Sequence, residues 1–205
     1  LWELAEESLA ETLAMAGIPH RVAEGEGAFY GPKIDVHVDD AIGRRWQMST
    51  IQVDFSLPER FGLEYVTPAD TRERPVMIHA AKFGSLERFL GVLIEHYAGA
   101  MPMWLSPVQA AVVPVADRHD GYAGQVAAKL RAGGLRVQSA SGPGKLGEKI
   151  RHAITQKVPA ILVVGDQDAG NGTVGLRLRS EKRERRGVPM DEAVAELVDA
   201  ARPPG

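Results

Sequence analysis

Two stretches of this chain, VQAAVVPV (108–115) and VPAILVV (158–164), are nearly unbroken apolar runs of strand length. A strand with one wet face alternates apolar and polar residues, so a continuous run predicts a strand buried on both faces. Helical periods stand around these runs at Tyr122–Ala132, Leu146–Lys157 and Met190–Ala201, with a short strand at Leu135–Gln138. Strands separated by such helices require right-handed crossovers and hence a mostly parallel sheet. Asp168-Ala169-Gly170-Asn171-Gly172 reads as a turn into the alternating strand Thr173–Arg179, which adds one hairpin strand. The charge run Glu181–Arg186 reads as a solvated loop.

The first half follows another pattern. Trp2, Ala5, Leu9 and Leu13 have helical spacing, with Gly17 at the C-terminal cap position. Ala28–Val38 and Arg44–Phe55, joined by the turn-like Asp39–Gly43, predict an antiparallel pair. In the first of these, Ile34, Val36 and Val38 share one face and Lys33, Asp35 and His37 the other. The run Pro75–Ile78 predicts a strand with His79 at its exit. Leu86, Phe89, Leu90, Leu93, Ile94 and Tyr97 then form one apolar helical stripe behind Ser85, a natural N-cap. The proline-rich Met101–Pro107 is the joint between the two patterns. The expected organisation is an α+β, antiparallel-sheet piece over residues 1–105 and an α/β domain over 106–205.

Composition removes some classes. The chain has no cysteine, which excludes disulfides and a thiolate zinc site built from this chain alone, and fits a cytoplasmic protein. No run of about eighteen apolar residues suggests a membrane span. A net charge of −3 gives no global nucleic-acid signature, although a local basic face remains compatible with it.

Individually, the polar residues are ambiguous. His79 is either a satisfied core histidine or one metal ligand, and one imidazole cannot hold zinc. Lys33, after Gly31-Pro32, is either an exposed lysine or a partner for phosphate or carboxylate. The amide-rich Trp46–Gln52 strand suits a small polar ligand or an ordinary sheet edge. Arg88 lies in the first turn of its helix, where a cation opposes the dipole unless an anion answers it.

In order, however, GEGAFYGPKIDV (25–36), WQMSTIQVDFSLPERF (46–61) and PVMIHAAKFGSLERFLGVL (75–93) resemble the C-terminal part of the threonyl-tRNA synthetase catalytic domain. WLSPVQ (104–109) resembles the join to that family's anticodon-binding domain, and GSLERF resembles the third class II signature. The resemblance implies ATP-dependent activation of L-threonine, with Mg2+, and transfer to tRNA(Thr) by a homodimer. It gives catalytic roles to Lys33, near the threonine carboxylate and α-phosphate, and to Arg88, on ATP. It places Tyr30, Gln47, Thr50, Gln52 and Ala81 in the substrate pocket, with Gln52 and Ser85 also toward ATP. His79 would be one of three ligands to a zinc ion that grips the amino and hydroxyl groups of threonine, which rejects valine. Lys145, Lys157, Asp168 and Arg177 match positions near the anticodon. Because Gln47 and Gln52 are five apart, both reach one pocket only through a bulge, expected near Ser49-Thr50.

Departures accompany the resemblance. Met48-Ser49 replace a usual Cys-Gly, and Ala80 a usual arginine. Ala140–Lys145 keeps only the lysine of an Asp-x-Arg-x-Glu-Lys run. The family's first two motifs, two other zinc ligands and editing domain would lie before Leu1, so this chain alone is expected to be inactive. The alternatives are a paralogue with a non-tRNA acceptor or a role in inhibitor resistance, and a non-catalytic RNA- or protein-binding module.

Overall fold

In the computed structural model, which describes residues 1–204, the first sequence pattern builds a three-stranded sheet and a separate two-stranded hairpin, and the second a five-stranded sheet. They belong to two units, Leu1–His96 and the segment from Tyr97 onward.

The first unit begins with α1 (Trp2–Met15), which buries Ala5. β1 (Lys33–Asp39) and β2 (Arg45–Asp54) form the antiparallel pair. After the short α2 (Ser56–Arg60) and the hairpin β3 (Tyr65–Val66) with β4 (Arg72–Glu73), β5 (Met77–Ala81) joins the free edge of β2, giving the order β1-β2-β5. α3 (Leu86–His96) follows. Gly31 lets the chain enter β1 against β2, since a Cβ there would lie 1.9 Å from the Val53 carbonyl oxygen. His79 is not at the exit of its strand, as the apolar run suggested, but at the centre of β5, because pairing with β2 carries the strand on to Ala81. The α3 stripe is not buried within this chain: Leu86, Leu90 and Ile94 are 60%, 44% and 51% exposed.

The second unit has a five-stranded sheet ordered β10-β9-β8-β6-β7. β6 (Ala110–Pro114) runs parallel to both β7 (Val137–Ser139) and β8 (Ala160–Val164). α4 (Asp120–Ala132) and α5 (Leu146–Thr155) supply the crossovers. Ala110 and Val112 of β6 face the larger core with Val126, Leu130, Leu162 and Leu197, while Ala111 and Val113 face Ala153, Val158 and Ile161. Burial on both faces is what the unbroken apolar runs required.

Two local expectations give way here. The Asp168–Gly172 turn is the end of a short helix, α6 (Asp166–Asn171), closed by Gly172 in the left-handed region. The charge run is not wholly loop: Arg185 opens β10 (Arg185–Pro189), held by its ion pair to Glu196 on α7 (Met190–Ala200) and by burial of Val188. β9 (Thr173–Leu178) pairs antiparallel with both β8 and β10, so the sheet is mixed, as expected, with the parallel pairing confined to β7-β6-β8. Among the described residues no helix is long and apolar enough to cross a membrane.

Candidate active site

The register of the small sheet sets two rows of three residues across its polar face: Lys33, Gln52 and His79, then Asp35, Thr50 and Ala81. Cross-strand partners point to the same side, so five of the proposed site residues share one surface. Gln47 joins them through a bulge. Val36 pairs with Ser49 and His37 with Gln47, which leaves Met48 as the extra residue. The bulge is therefore at Met48, one position before the expected one, and Met48 is buried.

Hydrogen bonds bind this face together. Gln47 Nε2 donates to Asp35 Oδ1 at 2.6 Å and Thr50 Oγ1 donates to the same oxygen at 2.7 Å. Lys33 Nζ pairs with Asp35 Oδ2 at 2.5 Å. Burial would raise the Asp35 pKa, but the donors Lys33, Thr50 and Gln47 together hold it below the usual carboxylate value. Tyr30 projects onto the same row, its hydroxyl donating to Gln52 Oε1 at 2.9 Å, with its ring 6.2 Å from that of His79.

Asp54, which the sequence reading did not single out, is fully buried under this row. Its Oδ1 accepts the Ser56 and Leu57 N–H groups at 2.8 and 2.9 Å, capping α2, and its Oδ2 is 2.9 Å from His79 Nε2. Burial pushes its pKa up, and the Leu57, His79 and Ser56 donors more than reverse that. Parity was the available signal, since Asp54 is two residues beyond Gln52 on an unbroken stretch of strand. Asp35, the hub of the network, was placed on the Lys33 face but given no role.

At the joint after β5, Ser85 Oγ accepts the Arg88 N–H at 3.3 Å, and the Arg88 side chain is exposed with no carboxylate partner among the described residues. Gly84 has φ +62°, and a Cβ on it would crowd the Met48 carbonyl at 3.3 Å, so the helix start is seated on the bulge itself.

Both family models match along the chain: the tRNA synthetase class II core domain (G, H, P, S and T) over residues 1–97 and the anticodon binding domain over 109–200. A threonine–tRNA ligase from Parafrankia sp. is 52% identical over 97% of this chain, and one from Thermus thermophilus 53% identical over 88%. The chain belongs to the threonyl-tRNA synthetase family. It spans 30% and 27% of the length of those two relatives. The crystal structure of the RNA-binding domain of threonyl-tRNA synthetase from Cryptosporidium parvum matches with a TM-score of 0.90 at 35% identity, over 99% of this chain and 51% of that one.

In the second unit, the four positions that the family resemblance put near an anticodon lie on different elements: Lys145 at the start of α5, Lys157 just past its end, Asp168 on α6 and Arg177 on β9. Lys145, Lys157 and Arg177 are exposed, and no hydrogen bond or ion pair connects the four among the described residues. Both Asp168 oxygens are occupied within the fold, accepting from Gly165 N–H at 3.0 Å and Thr173 Oγ1 at 2.9 Å. Lys157 takes φ +56° just past α5, where Val158 N–H bonds back to Ala153 O at 3.1 Å. That is the left-handed helix ending usually given to glycine.

Proposed function

We propose that this chain works as the C-terminal part of a threonine–tRNA ligase, which joins L-threonine to ATP as threonyl-adenylate and passes the threonyl group to tRNA(Thr). The observation that carries this reading is the polar face on which the Met48 bulge gathers Lys33, Gln47, Thr50, Gln52 and His79. Gln52, Tyr30 and Thr50 offer the donors and acceptors that orient a small zwitterion. Lys33 supplies positive charge where the substrate carboxylate meets the α-phosphate, with Asp35 holding its ammonium in place. Arg88 is free to meet ATP, whose negative charge suits a helix N-terminus.

Zinc fits His79. Its Nε2 rests on a buried carboxylate, the arrangement typical of metal-ligating histidines. Among the described residues no group of three His, Cys, Asp or Glu could hold a metal, so two ligands would come from elsewhere in the enzyme. When bound, the ion supplies a Lewis acid for the amino and hydroxyl groups of threonine. Beyond the face, the opposite side of the sheet leaves Val36, Ile51 and Ile78 47%, 41% and 71% exposed. Together with the α3 stripe, this is the surface that we assign to packing against the remainder of the class II core. The homodimer, Mg2+, tRNA(Thr) and the cytoplasmic setting belong to the same reading.

Threonine-dependent ATP–pyrophosphate exchange and charging of tRNA(Thr), both measured on the full-length enzyme, test it. Exchange and charging together are expected. Absence of exchange overturns the reading. Exchange without charging favours a paralogue with another acceptor, which the substitutions at Met48 and Ala80 motivate.

A further inference from the structure

We infer that Asp54 is a positioning residue that fixes the tautomer of His79, so that Nδ1 alone is left with a lone pair for a metal. An ionised carboxylate only accepts hydrogen bonds. Asp54 Oδ2 lies 2.9 Å from His79 Nε2, so Nε2 carries the proton and Nδ1 of the neutral ring does not. The carboxylate cannot turn away, because it is wholly buried and its other oxygen is committed to two N–H groups at the start of α2. α2 therefore holds the carboxylate, the carboxylate holds the ring, and the ring presents a defined nitrogen. Gln52, the β2 partner of His79, is taken up by the Tyr30 hydroxyl at 2.9 Å.

The metal part of this inference rests on the zinc reading above; the tautomer part does not. Asp54→Asn separates them. In this variant the side-chain oxygen keeps the two N–H groups of α2, so the amide NH2 falls in the place of Oδ2. That group is a donor, and it forces His79 Nε2 to accept. The ring proton then moves to Nδ1 and blocks ligation there.

The test has two measurements. Long-range 15N–1H spectra of this chain, at a pH well above the ordinary imidazole pKa of about 6.5, report which ring nitrogen carries hydrogen. The wild type is expected to show Nε2–H, and Asp54→Asn to show Nδ1–H. A wild type with Nδ1–H, or a variant with unchanged tautomer, overturns the inference. Zinc retention against a chelator by the full-length enzyme is the second, and Asp54→Asn is expected to weaken it roughly 10- to 100-fold. A switched tautomer with undiminished zinc retention overturns the metal role of Asp54. A wild-type enzyme that retains no zinc overturns the underlying zinc reading while leaving the tautomer result standing.

Discussion

Gln47 and Gln52 face the same side of β2 although they are five residues apart, because Met48 stands unpaired opposite the Val36–His37 step. If Met48 were paired as an ordinary strand residue instead of bulged out, strict alternation would send Gln47 to the apolar face. Gln47→Ala is expected to lower exchange by about 100-fold, the scale of one lost site donor, whereas deleting Met48 keeps Gln47 opposite His37 and on the polar face by plain alternation. Threonine KM and kcat of the full-length variant check this, and unchanged kinetics would show that Gln47 has no part in the site.

Arg88 has a helix start beneath it and forms no ion pair among the described residues, so its charge is available for a ligand. Arg88→Ala is expected to reduce kcat/KM for ATP by about 100-fold, the loss typical when one charge-stabilising donor is removed. Arg88→Lys should restore little of it, since a point charge does not reproduce the guanidinium fork. ATP saturation curves for the three proteins decide the matter.

The sign of the Asp35 contribution follows from its lowered pKa. Its folded value lies below the unfolded one, so the stabilisation is complete above about pH 4 and fades as pH falls toward the folded value. Asp35→Asn should therefore lower the urea midpoint near neutrality and flatten its decline between about pH 4 and the folded pKa. Parallel midpoint-against-pH curves for the two proteins would contradict this.

The second unit was legible because β6 and β8 are buried on both faces, and only an unbroken apolar run satisfies that. β10 was hidden, since an edge strand tolerates the charges of Arg185 and Arg186 that elsewhere mark a loop. α6 was hidden because Asp166, Asp168, Gly170 and Asn171 favour turns, and the helix is held by Asp168 capping rather than by propensity. In the first unit, strand parity found the Lys33–Asp35 face. It could not find the bulge to the residue, because Met48 differs from its neighbours in pairing and not in composition. The Asp54–His79 contact joins residues 25 apart and depends on the β2–β5 register, which no local pattern encodes.

Leu162 and Leu90 separate a core that this chain completes from a surface that it leaves open. Leu162 is fully buried in the second unit, and Leu162→Ala is expected to cost about 2–5 kcal/mol in any context. Leu90 is 44% exposed on α3, so Leu90→Ala should cost under about 1 kcal/mol in this chain. If the α3 stripe packs on the rest of a class II core, the same change in the full-length enzyme should cost at least about 2 kcal/mol. Thermal and urea unfolding of both variants, in both lengths of chain, make the comparison. An equally small Leu90→Ala effect in the full-length enzyme would mean that the stripe stays exposed there, and the packing assigned to it would fall.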